Sequence, residues 1–347
     1  MKTRVALLLS FCVSCVAATP ALEGTSGEVR VQGSASFRLA FGSCAHQDKP
    51  QPILREVVRQ NPHAFIYLGD NIYGDTNDDI SVMTAAYEKL ASKEEFQMLR
   101  KSIPLLQTWD DHDYGANDAG REYPLKEKAK EVFLDFWEVS ADDVRRTREG
   151  IYYSKVVKSG GKIVQLIVLD TRTFRGAWTK RGQDAKYKHR YKPADGNNIL
   201  GKEQWKWLEV TLAKPADVHI IASSIQFSGD YHGFEAWANA PDQRAKMADL
   251  IEQQTENPVI FISGDVHHGE LSMFRGPSKR KIYDLTSSGI NQVGTILEPS
   301  KSRVGEAFFK PNIGMITIDW RQQEVRFELL GEKGESGLLK TVDLSAL

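Results

Sequence analysis

The 347-residue chain carries 45 Lys and Arg against 46 Asp and Glu, a formal charge of −1, so charge gives no reason to expect broad binding to nucleic acid or membrane surfaces. Its 41% hydrophobic and 26% charged residues fall in the ordinary globular range, and its length suffices for one large α/β domain or two small ones.

In chain order, the first segment is "MKTRVALLLSFCVSCVAATPALEG". Lys2 and Arg4 precede an apolar run from Val5 to Val16 and then small residues, the pattern of a secretory signal peptide cleaved between Ala17 and Ala21. The absence of an arginine pair favours the general secretory route. Lipoprotein anchoring through Cys15 is disfavoured, because the usual leading leucine is missing. The expected division is a signal peptide over 1–21, a small-residue linker over 22–35 and one domain over 36–347. The protein is thus expected to be secreted or periplasmic, with no membrane span after cleavage. Cys12 and Cys15 leave with the signal; Cys44 remains alone and cannot close an internal disulfide.

From residue 36 on, β-prone runs alternate with helical patterns. Strands are predicted over 37–41, 64–68, 105–109, 150–157, 162–169, 218–222, 259–263, 281–286, 314–319 and 324–330, the last two as a hairpin. Helices are predicted over 52–60, 80–91, 93–101, 125–137, 202–213 and 242–256, the last opening after Pro241. Such alternation argues for a layered α/β fold, in which functional groups gather beyond the carboxyl ends of strands.

The strand exits share a chemistry. Cys44 and His46 follow the first strand; Asp70, Asn71 and Tyr73 the second; Asp110, Asp111, His112, Asp113 and Asn117 the third. Asp170, Arg172 and Arg175 follow "LIVL"; Ser224, Gln226, Asp230 and His232 follow "HIIA"; Asp265, His267, His268 and Glu270 follow "VIFIS". One aspartate after a strand is an ordinary turn former or cap. Carboxylates gathered at one rim repel unless a cation neutralises them, so the set points to metal. A thiolate beside the Tyr73 phenolate suits Fe(III) or Zn, and an oxygen-rich second position suits Ca, Mn or Mg. Two ions sharing a carboxylate can activate a hydroxide and clamp a phosphoryl oxygen. Arg172 and Arg175 then stand as phosphoryl-binding donors. The basic loop around them reads either as a substrate-gathering segment or as a solvated surface excursion. Trp205, Trp207 and Trp237 read as packing residues.

The motifs "FGSC", "LGDNIYGD", "WDDHDYGAND", "LDTRTFR", "LGKEQWKWLEVTL" and "SGDVHHGEL", in this order over roughly 36–290, resemble the alkaline phosphatase D (PhoD-like) family of metallophosphoesterases. The resemblance implies a four-layer α/β/β/α sandwich with two or more metal ions. It implies Cys44, Asp70 (bridging), Tyr73, Asp111, Asp265 and His267 as metal ligands, with His112 and Arg172 as catalytic residues. Asn71, Asn117, Arg175 and Gln226 complete the expected site as substrate-binding groups. "GSC" stands where most metallophosphoesterases open with DxH, and Asp265 replaces the first histidine of GHxH. Gln226 and His232 are alternatives for a histidine missing from "SSIQFSGDYHG". The expected activity is hydrolysis of phosphate mono- or diesters, small or polymeric, with no nucleic-acid-binding module. The alternative is an exported metal- or phosphate-binding protein without turnover.

Overall fold

The computed structural model describes residues 29–31, 35–181, 191–230 and 232–347. The expected signal peptide and the centre of the basic loop lie outside them. The elements in order are β1 (Val29–Val31), β2 (Ser36–Gly42), α1 (Ile53–Gln60), β3 (Ala64–Leu68), α2 (Ser81–Ser92), α3 (Glu94–Ser102), β4 (Leu105–Thr108), α4 (Asp111–Tyr114) and α5 (Lys126–Phe136). There follow β5 (Tyr153–Ser159), β6 (Lys162–Val168), α6 (Gly201–Leu212), β7 (Val218–Ala222), α7 (Pro241–Gln254), β8 (Val259–Ser263), β9 (Gly269–Arg275), β10 (Lys281–Ser287), β11 (Ile313–Asp319), β12 (Glu324–Leu330) and β13 (Ser336–Asp343).

The strands form two sheets, ordered β1-β5-β6-β7-β8-β10-β9 and β13-β12-β11-β2-β3-β4. Within them β2, β3 and β4 run parallel, as do β6, β7 and β8. The six therefore deliver their carboxyl ends to one rim. Strands β3, β7 and β8 are buried along their whole length, as central parallel strands covered on both faces must be, which is why they read as continuous apolar runs. Between the sheets lies one core that includes Leu39, Phe41, Ile66, Leu166, Ile220, Ile262 and Phe327. On the outer face of the second sheet, α1, α2, α3 and α5 bury Val57, Met83, Phe96 and Phe133. On that of the first, α6 and α7 bury Trp205, Leu208, Met247 and Ile251. The architecture is a four-layer α/β/β/α sandwich.

Local chemistry sets the helix ends. α1 stops where Asn61 turns left-handed (φ 48°) and its N–H returns to the Val57 and Val58 carbonyls. α7 opens on Pro241, whose missing N–H would have no intrahelical partner there. Three strands were not anticipated. β9 follows the motif-bearing turn directly, β13 carries mixed polarity on an edge, and β1 comes from the segment expected as a linker, pairing in parallel with Val157–Ser159. The expected packing roles of Trp205 and Trp237 match their burial in the α6–α7 core, and Trp207 lies against Tyr152.

Candidate metal centre

The β2 and β3 exits are strapped together. The Cys44 N–H donates to the Gly69 carbonyl at 3.3 Å, and the Ala45 N–H to that of Asp70 at 2.8 Å. Cys44, Asp70, Asp265 and His267 all adopt positive φ (62°, 51°, 72° and 59°), a region that non-glycine residues seldom occupy. Each such conformation costs about 1–3 kcal/mol and persists only where its surroundings over-determine it, a pattern concentrated at functional sites. Here the turns swing side chains off the strand ends and toward one point.

At that point the Cys44 Sγ lies 3.4 Å from Asp70 Oδ2, and the Tyr73 hydroxyl lies 3.3 Å from the same oxygen and from His267 Nε2. Ser288 braces both sides, with its Oγ 3.1 Å from the Cys44 Sγ and accepting the His267 N–H at 2.7 Å. Four sets of ligand atoms each fall within 4.8 Å of one another: Cys44–Asp70–His267, Asp70–Asp111–His112, Asp110–Asp111–Asp265 and Asp111–Asp118–Glu235. Asp70 and Asp111 recur, linking the sets into one chain of sites.

Behind this rim a positive group and a hub hold the carboxylates. Arg172 is fully buried, 2.5 Å from Asp110 Oδ1, 2.6 Å from Glu235 Oε2 and 3.8 Å from Asp111 Oδ1. Asp113 accepts the N–H groups of Asp70 (3.0 Å), Asn71 (3.2 Å) and Asp110 (2.7 Å), fixing the β3 and β4 exits against each other.

The electrostatics call for cations. Burial, then the neighbouring Cys44 and carboxylates, pushes Asp70 well above the carboxylate range; burial, then Asp110 and Glu235, does the same to Asp265. Burial pushes Cys44 up to about 12. Burial would also raise Asp111, but Arg172 and His112 outweigh it and hold Asp111 at about 2. Burial opposes charge on His112, yet its hydrogen bond to Asp75 at 2.8 Å, with Asp111 beside it, raises it to about 9. Burial and the nearby His112 lower His267, so its imidazole is held neutral and able to ligate. The Oδ2 of Asp110 and the Oδ1 of Asp111 are buried without a hydrogen-bond donor among the described residues. Buried acceptors left this way are costly unless something positive meets them. Thiol, phenol, imidazole and crowded carboxylates with orphaned oxygens are a donor set that fits metal ions.

The centre opens into a cleft of about 690 Å³ that Asp70, Asp111, His112, Asp265 and His267 help to line. The expected substrate-binding residues divide. Asn117, Gln226 and its alternative His232 line the cleft, although Gln226 Nε2 already donates to Glu270 Oε1 (2.8 Å) and Thr286 Oγ1 (2.9 Å). Three expectations need correction. Arg172 is sealed among Asp110, Asp111 and Glu235 as above. Arg175 is equally buried, donating to the Gly176 and Asp118 carbonyls and 3.3 Å from Glu235. Asn71 is fully buried, its amide donating to the Thr108 carbonyl at 2.8 Å and to Asp113. All three serve the carboxylate framework, because polar groups so near a sealed rim must satisfy the backbone and charges around them first.

Sequence reasoning passed over Asp118, Glu235, Ser288 and Arg303, and named Glu270 only as a strand-exit residue. Glu235 and Arg303 sit deep in connections, away from any strand exit. Among the described cleft-lining residues Arg303 is the only Arg or Lys; its Nε donates to Glu270 Oε2 at 2.5 Å and its Nη2 to the Glu298 carbonyl at 3.0 Å. Burial would raise Glu270, but His268 and Arg303 hold it at about 2.

A two-sheet sandwich that gathers side chains able to ligate metal at its common rim defines an α/β/β/α-class protein with a candidate metal centre. A family model described as PhoD-like phosphatase matches residues 39–308, and the chain belongs to that family. Alkaline phosphatase D of Bacillus subtilis is 22% identical over 278 residues, covering 66% of this chain and 45% of its own length; this chain therefore spans about half of that curated relative. Among solved structures, that of PhoD superposes with a TM-score of 0.68 at 17% identity, covering 89% of this chain and 68% of its own. GAP50, described as the anchor in the inner membrane complex of Plasmodium, superposes with a TM-score of 0.53 at 14% identity, covering 89% of both chains. These structural likenesses concern the fold.

Proposed function

We propose that this protein is an exported, metal-dependent phosphoesterase that hydrolyses phosphate mono- or diesters. The observation that carries the reading is the chain of ligand sets sharing Asp70 and Asp111 at the floor of an open cleft. Family membership supports a phosphatase, and the N-terminal sequence supports export. Among the described residues no helix is long and apolar enough to cross a membrane.

Cys44, Asp70, Tyr73 and His267 would hold one cation, an iron-like or zinc-like ion by donor chemistry. Asp70, Asp111, Asp265 and neighbouring carboxylates would hold the oxygen-bound remainder, Ca, Mn or Mg. When bound, such ions supply Lewis-acid polarisation of phosphoryl oxygen and activation of water. The chain's own groups do the rest. His112, oriented by Asp75, lines the cleft and delivers a proton to the leaving oxygen. Arg303, fixed by Glu270, faces the cleft as a donor to non-bridging oxygen. Arg172 contributes indirectly, pairing with Asp110 and holding Asp111 ionised and in place.

Retention of the whole ligand set, with His112 on the cleft, favours turnover over the purely binding alternative; the anchor role named for GAP50 concerns a protein similar only in fold. Purified Asp70→Asn should lose at least about 100-fold in hydrolysis of a nitrophenyl phosphate and lose bound metal in elemental analysis, with its circular dichroism unchanged. Wild-type turnover in that variant would overturn the reading.

A further inference from the structure

Large apolar side chains exposed on a soluble protein are ordinary when scattered, so their coincidence at one place is what carries information. Seven are exposed among the described residues. Val82, Val144, Val210 and Leu339 lie on separate elements. Phe234 and Ile296, 41% and 52% exposed, both line the metal-centre cleft together with Pro299, and Leu297 follows Ile296 in sequence.

These residues come from two connections far apart in the chain, β7–α7 and β10–β11, and the structure ties the two together. The Asp230 Oδ2 accepts the N–H groups of Lys301 at 2.5 Å and Ser302 at 2.9 Å and the hydroxyl of Ser300 at 3.3 Å. The Gly294 N–H donates to the His267 carbonyl at 2.7 Å, anchoring the start of the second connection to the metal centre. The apolar lip is thus built in a set position relative to the reacting end of the cleft.

The charge of the same wall points the same way. Asp118, Asp230, Glu235 and Glu298 line it, and Arg303, already engaged by Glu270, is the only Arg or Lys among the described lining residues. Glu235 is paired with Arg172 and Arg175, and among the described lining residues no Lys and no second Arg is placed to receive a further anionic group on a substrate.

We propose that the cleft selects phosphoesters whose organic group is an uncharged apolar chain, seated against Phe234, Ile296 and Pro299. This rests on the phosphoesterase reading above. In hydrolysis the P–O bond to the leaving oxygen breaks, that of the chain in the monoesters and that of the nitrophenyl group in the diesters; water supplies the new P–O bond, and the leaving oxygen takes a proton. The chain determines specificity by burying its methylenes, each contributing up to about fourfold in affinity.

The test uses the metal-loaded protein and four substrates below their micelle concentrations: methyl and octyl phosphate, and the methyl and octyl diesters of nitrophenyl phosphate. Methyl- and octylphosphonate serve as calorimetric probes. In the hydrolysed series, octyl should exceed methyl in kcat/KM by at least about tenfold, mainly through KM. Octylphosphonate should bind correspondingly tighter, with a more negative heat-capacity change. In a Phe234→Ser/Ile296→Ser double variant the octyl-to-methyl ratio should fall to within about threefold. Turnover with no chain preference, or a preference surviving in the double variant, overturns this inference alone. Failure of the metal-loaded protein to hydrolyse any ester overturns the phosphoesterase reading with it.

Discussion

Arg172 illustrates how burial reassigns a residue. Its guanidinium lies between Asp110 and Glu235, all three side chains at most 2% exposed. Removing one partner from a buried ion pair leaves the others charged in a poor solvent, which costs about 3–5 kcal/mol. Arg172→Ala should therefore lower the denaturation midpoint by that equivalent. An unchanged midpoint with a raised KM would instead restore a direct role at the substrate. Tyr73 and Cys44 differ from it, because each lies within 3.4 Å of Asp70 Oδ2, a candidate ligand atom at the cleft floor. Nothing in a linear sequence separates these cases: an arginine two residues beyond a strand looks the same whether it faces a cleft or a sealed carboxylate.

At the scale of elements, the decisive features are the turns that follow the parallel strands. Gly69 ends β3 with φ 103°, and a Cβ there would lie 2.5 Å from both the N and the Cβ of Asp110. Gly69→Ala should thus push the β3 and β4 exits apart, destabilising the protein by at least about 2 kcal/mol and weakening metal binding, as read by urea unfolding and metal titration. Wild-type values for both would mean that the exits can yield. The short helix α4 has a related role. Its capping box pairs Asp110 with Asp113, so one four-residue turn orients Asp110, Asp111 and His112 together. Its brevity hid it from periodicity, which needs several turns to register.

For the whole molecule, stability couples to pH through groups remote from the cleft. His219, on β7, is buried with its Nδ1 2.8 Å from Gln165 Oε1, and burial, with a smaller effect from Arg280, lowers it to about 4. The unfolded chain therefore binds more protons between pH 6.5 and 4, and stability is present above that window and lost as pH falls through it. The loss at pH 5 relative to pH 8 amounts to about 2 kcal/mol. Urea midpoints at the two pH values should differ by this amount more in the wild type than in His219→Gln; equal differences would remove His219 from the account. Chelation acts on the centre itself. Withdrawing cations from a rim of buried carboxylates should lower the melting temperature by about 5 °C or more, restored by adding metal, and no shift would argue that cations do not bind the native state.

The alternation of apolar runs and helical patterns determined the layered α/β class, and the ten strands and six helices it predicted all exist with ends shifted by three residues or fewer. Strands β3, β7, β8 and β12 match to the residue, because full burial or strict alternation leaves a strong local signature. The gathering of Cys44, Asp70, Asp111, Asp265 and His267 at one rim was legible too, since each follows a strand whose direction can be inferred. Tertiary structure alone decided which charges face the cleft and which are spent on one another. It also brought in Glu235 and Arg303 from the long connections, and Ser288 from the end of β10, where it pairs with Ser43. The physical reason is range: hydrophobic periodicity is written within a dozen neighbouring residues, whereas the partner of a buried charge comes from wherever the folded chain returns.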